Sequence, residues 1–332
     1  MSKLRILAGS IAIASLAACQ RQQPAADEHM AHMSPGDVAL PAVAASNQQG
    51  DLSLPPSART VAARLAASPR HGEWITVAYE PGSKDSLIAW VVYPKTSNAK
   101  TPVVVVVHEI FGLSTWVRGV ADQVAAEGFI AIAPDLLSKL RGKPSADSLS
   151  TDSAGKLARI ASIADRNQGI AAVAKWAMSQ PSAAQKYAVI GYCWGGTTTW
   201  METINGGTNG YSGGVAFYGV PQTAQGALKD SLQKIKTPIM LLSGSKDARI
   251  GAAMPAIDST MKALNKWYYG KNYEGAIHGF LRAQDDPRAP RQSANASETQ
   301  ADVDAERAAN LAATKDAWPR TVDFLKKNLG VK

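Results

Sequence analysis

Tyr187-Ala188-Val189-Ile190-Gly191-Tyr192-Cys193-Trp194-Gly195-Gly196 is the stretch whose reading decides the fold. Residues 187–190 form an apolar run of the kind that makes a buried strand, and 197–204 suit a helix. Between them, three glycines bracket one cysteine. A chain that passes from strand to helix in so few residues needs glycine, because a Cβ in the tight turn would strike neighbouring backbone. The turn lifts the Cys193 thiol above the carboxyl end of the strand, where α/β folds bind ligands. It also sets the thiol at a helix start, whose free N–H groups and dipole favour a thiolate and an oxyanion.

The pattern on either side repeats the alternation. Residues 74–80 and 87–93 read as two strands around the turn Pro81-Gly82-Ser83-Lys84, and 102–107 is a continuous β-branched run suited to a buried parallel strand. Further strands are expected over 129–133, 214–218, 238–243 and 267–274, and helices over 116–127, 161–178, 254–264 and 306–329. The polar, Pro-containing stretch 286–301 reads as an exposed loop. Strands alternating with helices predict an α/β fold with a mainly parallel sheet flanked by helices, occupying residues 71–332.

Strand, turn and helix in this order form the nucleophile elbow of α/β-hydrolases, here with cysteine where serine is commoner. In that fold an acid and then a histidine follow the nucleophile. His278 is the one histidine after Cys193 and sits just past the last expected strand. Asp247, in Ser243-Gly244-Ser245-Lys246-Asp247, lies in the loop after a buried strand, where a carboxylate can orient an imidazole. The loop after 102–107, His108-Glu109-Ile110-Phe111-Gly112, can supply one oxyanion-hole N–H from Ile110, with the other from Trp194. His108 precedes the nucleophile and ends a strand, which suits a structural role. Asp247 as a turn cap and His278 as a surface histidine are the simpler readings of each alone; their order favours joint chemistry.

Four motifs in one order, Glu109-Ile110-Phe111-Gly112, the Gly191–Gly196 elbow, the acid loop and His278-Gly279-Phe280, resemble the dienelactone hydrolase (carboxymethylenebutenolidase) family over roughly residues 72–332. The resemblance implies an α/β-hydrolase fold and a hydrolase of esters or lactones. It implies Cys193, His278 and Asp247 as nucleophile, base and acid, with Glu109 tuning the resting thiol. It implies a substrate carboxylate bound by Arg282 and by a second cation, either Lys139 or Arg141. The expected reaction passes through a thioester and needs no metal or organic cofactor. A general carboxylesterase or thioesterase on the same scaffold is the nearest alternative, and a ligand-binding protein without turnover is a more distant one.

The chain start points to export. Lys3 and Arg5 precede the short apolar stretch 6–14, too short to span a bilayer comfortably. Leu16-Ala17-Ala18-Cys19 resembles the bacterial lipoprotein signal, which implies cleavage after residue 18 and a lipid on Cys19 as membrane anchor. Gln20 after the cysteine favours the outer membrane in Gram-negative lineages. The chain has two cysteines; with Cys19 lipidated, Cys193 has no internal partner for a disulfide. Residues 19–70, rich in Ala, Gln, Pro and Ser, read as a flexible tether, with a short helix near 60–67 as the exception. His29 and His32 fit that tether better than a metal site, since two imidazoles rarely suffice. The 35 Lys and Arg against 27 Asp and Glu give a net charge of +8. They are scattered with no basic stripe, which argues for a solvated surface and against a nucleic-acid partner. Oligomeric state leaves no signature.

Overall fold

The valine run makes β3 (Thr101–Val107), and all seven of its residues are buried. A strand apolar on both sides can sit only where helices cover both faces of a sheet. The computed structural model describes residues 45–95, 100–142, 151–292 and 297–331, and builds such a sheet from eight strands in the order β1-β2-β4-β3-β5-β6-β7-β8. The others are β1 (Gly72–Ala78), β2 (Ser86–Val92), β4 (Ile130–Asp135), β5 (Ala183–Tyr192), β6 (Tyr211–Phe217), β7 (Ile239–Gly244) and β8 (Tyr268–Tyr273). β1 and β2 are antiparallel to their neighbours and the remaining pairs are parallel. The α/β architecture expected from the alternation, a mainly parallel sheet flanked by helices, is the one observed.

The helices are α1 (Val61–Ala66), α2 (Thr115–Ala126), α3 (Ser138–Arg141), α4 (Thr151–Ile160), α5 (Ile163–Met178), α6 (Trp194–Asn205), α7 (Leu228–Leu232), α8 (Ala248–Ala263) and α9 (Gln300–Leu329). The helix expected from residue 161 begins at Ile163, because Ser162 caps it by accepting the Asp165 N–H. α9 starts at Gln300, ahead of the expected 306, because Thr299 and Asp302 form a reciprocal capping box. Polar residues in its first turns hide that start from a reading of apolar spacing.

The N-terminal boundary also differs from the expectation of a tether reaching residue 70. From about residue 50 the chain is strapped onto the folded body, with Leu54, Val61 and Arg64 buried. Trp116 Nε1 donates to the Pro56 carbonyl at 2.8 Å, and Gln284 Nε2 to that of Pro55 at 2.9 Å. Arg64 donates to the Leu54 carbonyl at 3.0 Å and to the Gln123 side chain. The approach is so close that a Cβ on Gly119 of α2 would lie 2.3 Å from Val61 Cγ2. The strap buries too few apolar residues, at no regular spacing, to declare itself in the sequence. The expected signal peptide, Cys19, His29 and His32 lie outside the described residues. No helix among the described residues is long and apolar enough to cross a membrane.

Candidate active site

β5 feeds directly into α6 through Cys193, whose backbone sits at φ 57 and ψ −115. Such a conformation is costly for a residue with a side chain and persists only when its surroundings enforce it. The enforcement is visible. A Cβ on Gly191 would fall 2.0 Å from the Gly195 carbonyl oxygen, one on Gly195 2.5 Å from that of His108, and one on Gly196 2.5 Å from that of Phe217. The Cys193 N–H donates to Phe217 and its carbonyl accepts from Thr197. The turn is thus locked between β3 and β6.

Asp247 and His278 come from the loops after β7 and β8. Their contact is short: His278 Nδ1 lies 2.5 Å from Asp247 Oδ2. Asp247 also caps α8 by accepting the Ile250 N–H at 3.2 Å, so the turn-cap reading and the ion pair hold for the same side chain. With Nδ1 facing the carboxylate, the other ring nitrogen is left for Cys193. Burial disfavours charge on the imidazole, but the Cys193 thiolate and the Asp247 carboxylate outweigh it and push the His278 pKa up to about 10. Burial raises the Asp247 pKa, yet the hydrogen bond and charge of His278 bring it below the ordinary value.

Glu109 and Arg282 meet in the same region. Glu109 Oε2 and Arg282 Nε are 3.1 Å apart and both side chains are buried, although neither atom makes a well-aligned hydrogen bond. Charge alone therefore holds the pair, and Arg282 also lies over the Phe111 ring at 5.5 Å. Ile110 is fully buried within the turn that Gly112 N–H closes onto the Glu109 carbonyl. Trp194 is the first residue of α6, where a backbone N–H has no intrahelical acceptor.

His108 is a structural residue by its contacts. Its Nε2 accepts the Leu136 N–H at 3.1 Å, which requires the proton on Nδ1, and Nδ1 faces the Glu109 carbonyl. Burial lowers its pKa despite nearby Asp135, so the ring is neutral and stacks on Trp194 at 5.3 Å. Lys139 is held by Asp85 at 3.3 Å and Asp165 at 3.8 Å. Arg141 lies two residues further on α3, with Nη1 buried and unpartnered among the described residues.

Two residues at the site carry no motif. Tyr218 is fully buried at φ 39, its ring 4.8 Å from that of His278. Burial, reinforced by Glu109, holds its phenol well above the ordinary pKa, so it stays protonated. Its place immediately after β6, at the carboxyl edge of the sheet, is the only sequence signal for it. Arg166 of α5 stacks over Trp194 at 4.9 Å and donates to Thr198 at 3.1 Å. A single arginine on an amphipathic helix announces nothing.

The dienelactone hydrolase family matches this chain over residues 87–329. A Salmonella typhimurium protein provisionally named carboxymethylenebutenolidase is 29% identical over 236 residues, covering 68% of this chain and 84% of its own. The carboxymethylenebutenolidase of Pseudomonas putida is 24% identical over 209 residues, covering 62% of this chain and 86% of its own. Among solved structures, a dienelactone hydrolase-like promiscuous phosphotriesterase from metagenomic libraries superposes with a TM-score of 0.58 at 21% identity, covering 77% of this chain and 98% of its own.

Proposed function

Since this chain belongs to the dienelactone hydrolase family and is a hydrolase of ester or lactone bonds, we propose that it works through a Cys193–His278–Asp247 triad and a thioester on Cys193. The observation that carries the reading is the 2.5 Å His278–Asp247 contact beside a thiol held at positive φ. A structural cysteine has no need of that strain, nor of a base whose charge depends on it.

The chemistry follows from the charges. A thiolate on Cys193 and an imidazolium on His278 stabilise each other, so the imidazole suits the role of accepting the thiol proton. Attack on the carbonyl carbon forms a C–S bond and moves the carbonyl electron pair onto oxygen, where the Ile110 and Trp194 N–H groups receive it. Collapse breaks the C–O bond, and the leaving alkoxide takes the imidazolium proton from His278. The thiolate charge is now spent in the thioester, so the largest influence raising the His278 pKa disappears. The imidazole can then accept a proton from water, which attacks the thioester and releases the acid and the thiolate. One residue serves as acid and then base because the nucleophile's charge switches it.

A substrate carboxylate suits Arg282, whose Nε and Nη1 have no hydrogen-bond partner among the described residues. Of the two candidates for a second cation, Lys139 is already held by two carboxylates, which favours Arg141. The lipid-anchored, exported state inferred from Cys19 belongs to the same proposal; Cys19→Ala should move the enzyme from the membrane fraction to the soluble one. The direct test of function is hydrolysis of a chromogenic ester and a dienelactone by the wild type and Cys193→Ala. Turnover that survives loss of the thiol would sink the mechanism.

A further inference from the structure

The loops bearing Asp247 and His278 leave the sheet at β7 and β8, its far edge, and are tied closely to each other. A Cβ on Gly244 would come within 2.3 Å of the Ala276 carbonyl oxygen. Lys246 N–H donates to that same carbonyl at 3.0 Å, and Gly275 N–H to Ser245 Oγ at 2.8 Å. These bonds tie the two loops to each other, and the Ser245 N–H ties them to the end of β8 by donating to the Tyr273 carbonyl at 2.8 Å. The segment 276–278 also sits between Gly275 at φ 71 and Gly279 at φ 76. Glycine takes a left-handed φ without the clash a Cβ would bring, so the histidine segment is bounded by a turn on each side.

One bond pins the middle of that segment. Asn310 Oδ1, from α9, accepts the Ile277 N–H at 3.0 Å, and Asn310 is 2% exposed. One turn earlier on α9, Glu306 accepts from Lys246 Nζ at 3.0 Å, so the same helix face reaches the residue before the acid and the residue before the base. Glu306 is shared with Arg288 and Arg291, whereas Asn310 makes its contact with the histidine segment directly. We infer that Asn310 is a positioning residue of this enzyme, fixing through Ile277 the backbone from which His278 reaches Asp247 and Cys193. The inference rests on the triad reading for its catalytic consequence, while the placement of His278 can be read without turnover.

The experiment compares Asn310→Leu, similar in size but unable to accept the N–H, with Asn310→Asp, which keeps an acceptor. The first readout is the far-downfield proton resonance of the His278–Asp247 hydrogen bond. Asn310→Leu should broaden or abolish it, and Asn310→Asp should keep it. In parallel, kcat should fall by about tenfold to a hundredfold in Asn310→Leu, as expected when a reacting group is displaced by an ångström or less, with KM little changed. Alkylation of Cys193 at a fixed pH should slow in the same variant. If Asn310→Leu does not fold, Asn310→Ala takes its place in each measurement. An unchanged resonance and alkylation profile in the folded variant overturns the inference; so does equal damage in Asn310→Asp. Cys193→Ala run alongside separates the two claims, because turnover without the thiol removes the mechanism while the resonance still judges Asn310.

Discussion

The turn that carries Cys193 is held by backbone sterics, with Gly191, Gly195 and Gly196 each lacking room for a single extra carbon. The loops that carry Asp247 and His278 share one such contact, since a Cβ on Gly244 would fall 2.3 Å from the Ala276 carbonyl oxygen, but they also depend on side chains, including Asn310 of the helix that begins at Gln300. The two halves of the proposed site therefore differ in how far they rely on side chains. A backbone clash is short-ranged and unforgiving, so the elbow has one conformation or none. Hydrogen bonds from side chains are worth about 0.5–1.5 kcal/mol each, so the loops can be loosened in steps.

The sharpest break of that contrast is Gly195→Ala, whose new Cβ would meet the carbonyl oxygens of Val107 and His108 at 2.5 Å. Neither backbone atom can swing away, so we expect a loss of about 3 kcal/mol or more, seen as a large drop in the urea midpoint or in soluble yield. Next in size is Asp247→Asn, which should leave the urea midpoint nearly in place and lower kcat by about 10²–10⁴-fold. An equal loss of stability in both variants would erase the distinction between the two halves.

A pH scan sharpens the comparison further. The folded pKa of His278 is raised to about 10 against an ordinary 6.5. Its contribution to stability is thus fully present below about pH 6.5 and is lost as pH rises through 10. Removing the thiolate in Cys193→Ala should shrink that alkaline loss, measured as urea unfolding at neutral and alkaline pH. A subtler probe of specificity is Arg282→Met, which should raise KM for an anionic lactone about tenfold and leave a neutral ester nearly untouched. Equal effects on both substrates would favour the general esterase reading. Smallest of all is Thr299→Ala at the start of α9, expected to cost about 1 kcal/mol of stability with kcat unchanged, because the cap lies several turns from Asn310.

The same contrast explains what could be read in advance. Close-packed backbone demands particular residues at fixed spacing, so the elbow, the valine strand and the His-Gly-Phe segment announce themselves within ten residues. The alternating pattern likewise foretold the sheet and its flanking helices. Arg166 over Trp194, Tyr218 beside His278 and Asn310 beneath Ile277 join residues far apart in sequence through ordinary residue types. No local pattern marks such a contact, because what specifies it is the completed fold. The strap escaped for a related reason: two prolines, one leucine and one valine gain their partners only after α2 is in place.

The strap also sets where the enzyme can be cut. A version begun at residue 71 would retain all eight strands and every residue proposed for the chemistry, and by sequence pattern it would look whole. It would nonetheless remove the acceptor of Trp116, whose ring packs edge-on at 5.0 Å against Tyr192, the residue before Cys193. It would also remove the Ala58 N–H that the Arg282 carbonyl accepts at 2.9 Å. The groove along Gly119 would open to water as an apolar furrow, inviting association between molecules. A proteolytic nick inside this segment is thus expected to damage the hydrolase itself, and a shortened form keeps the strap only if it begins upstream of Gly50.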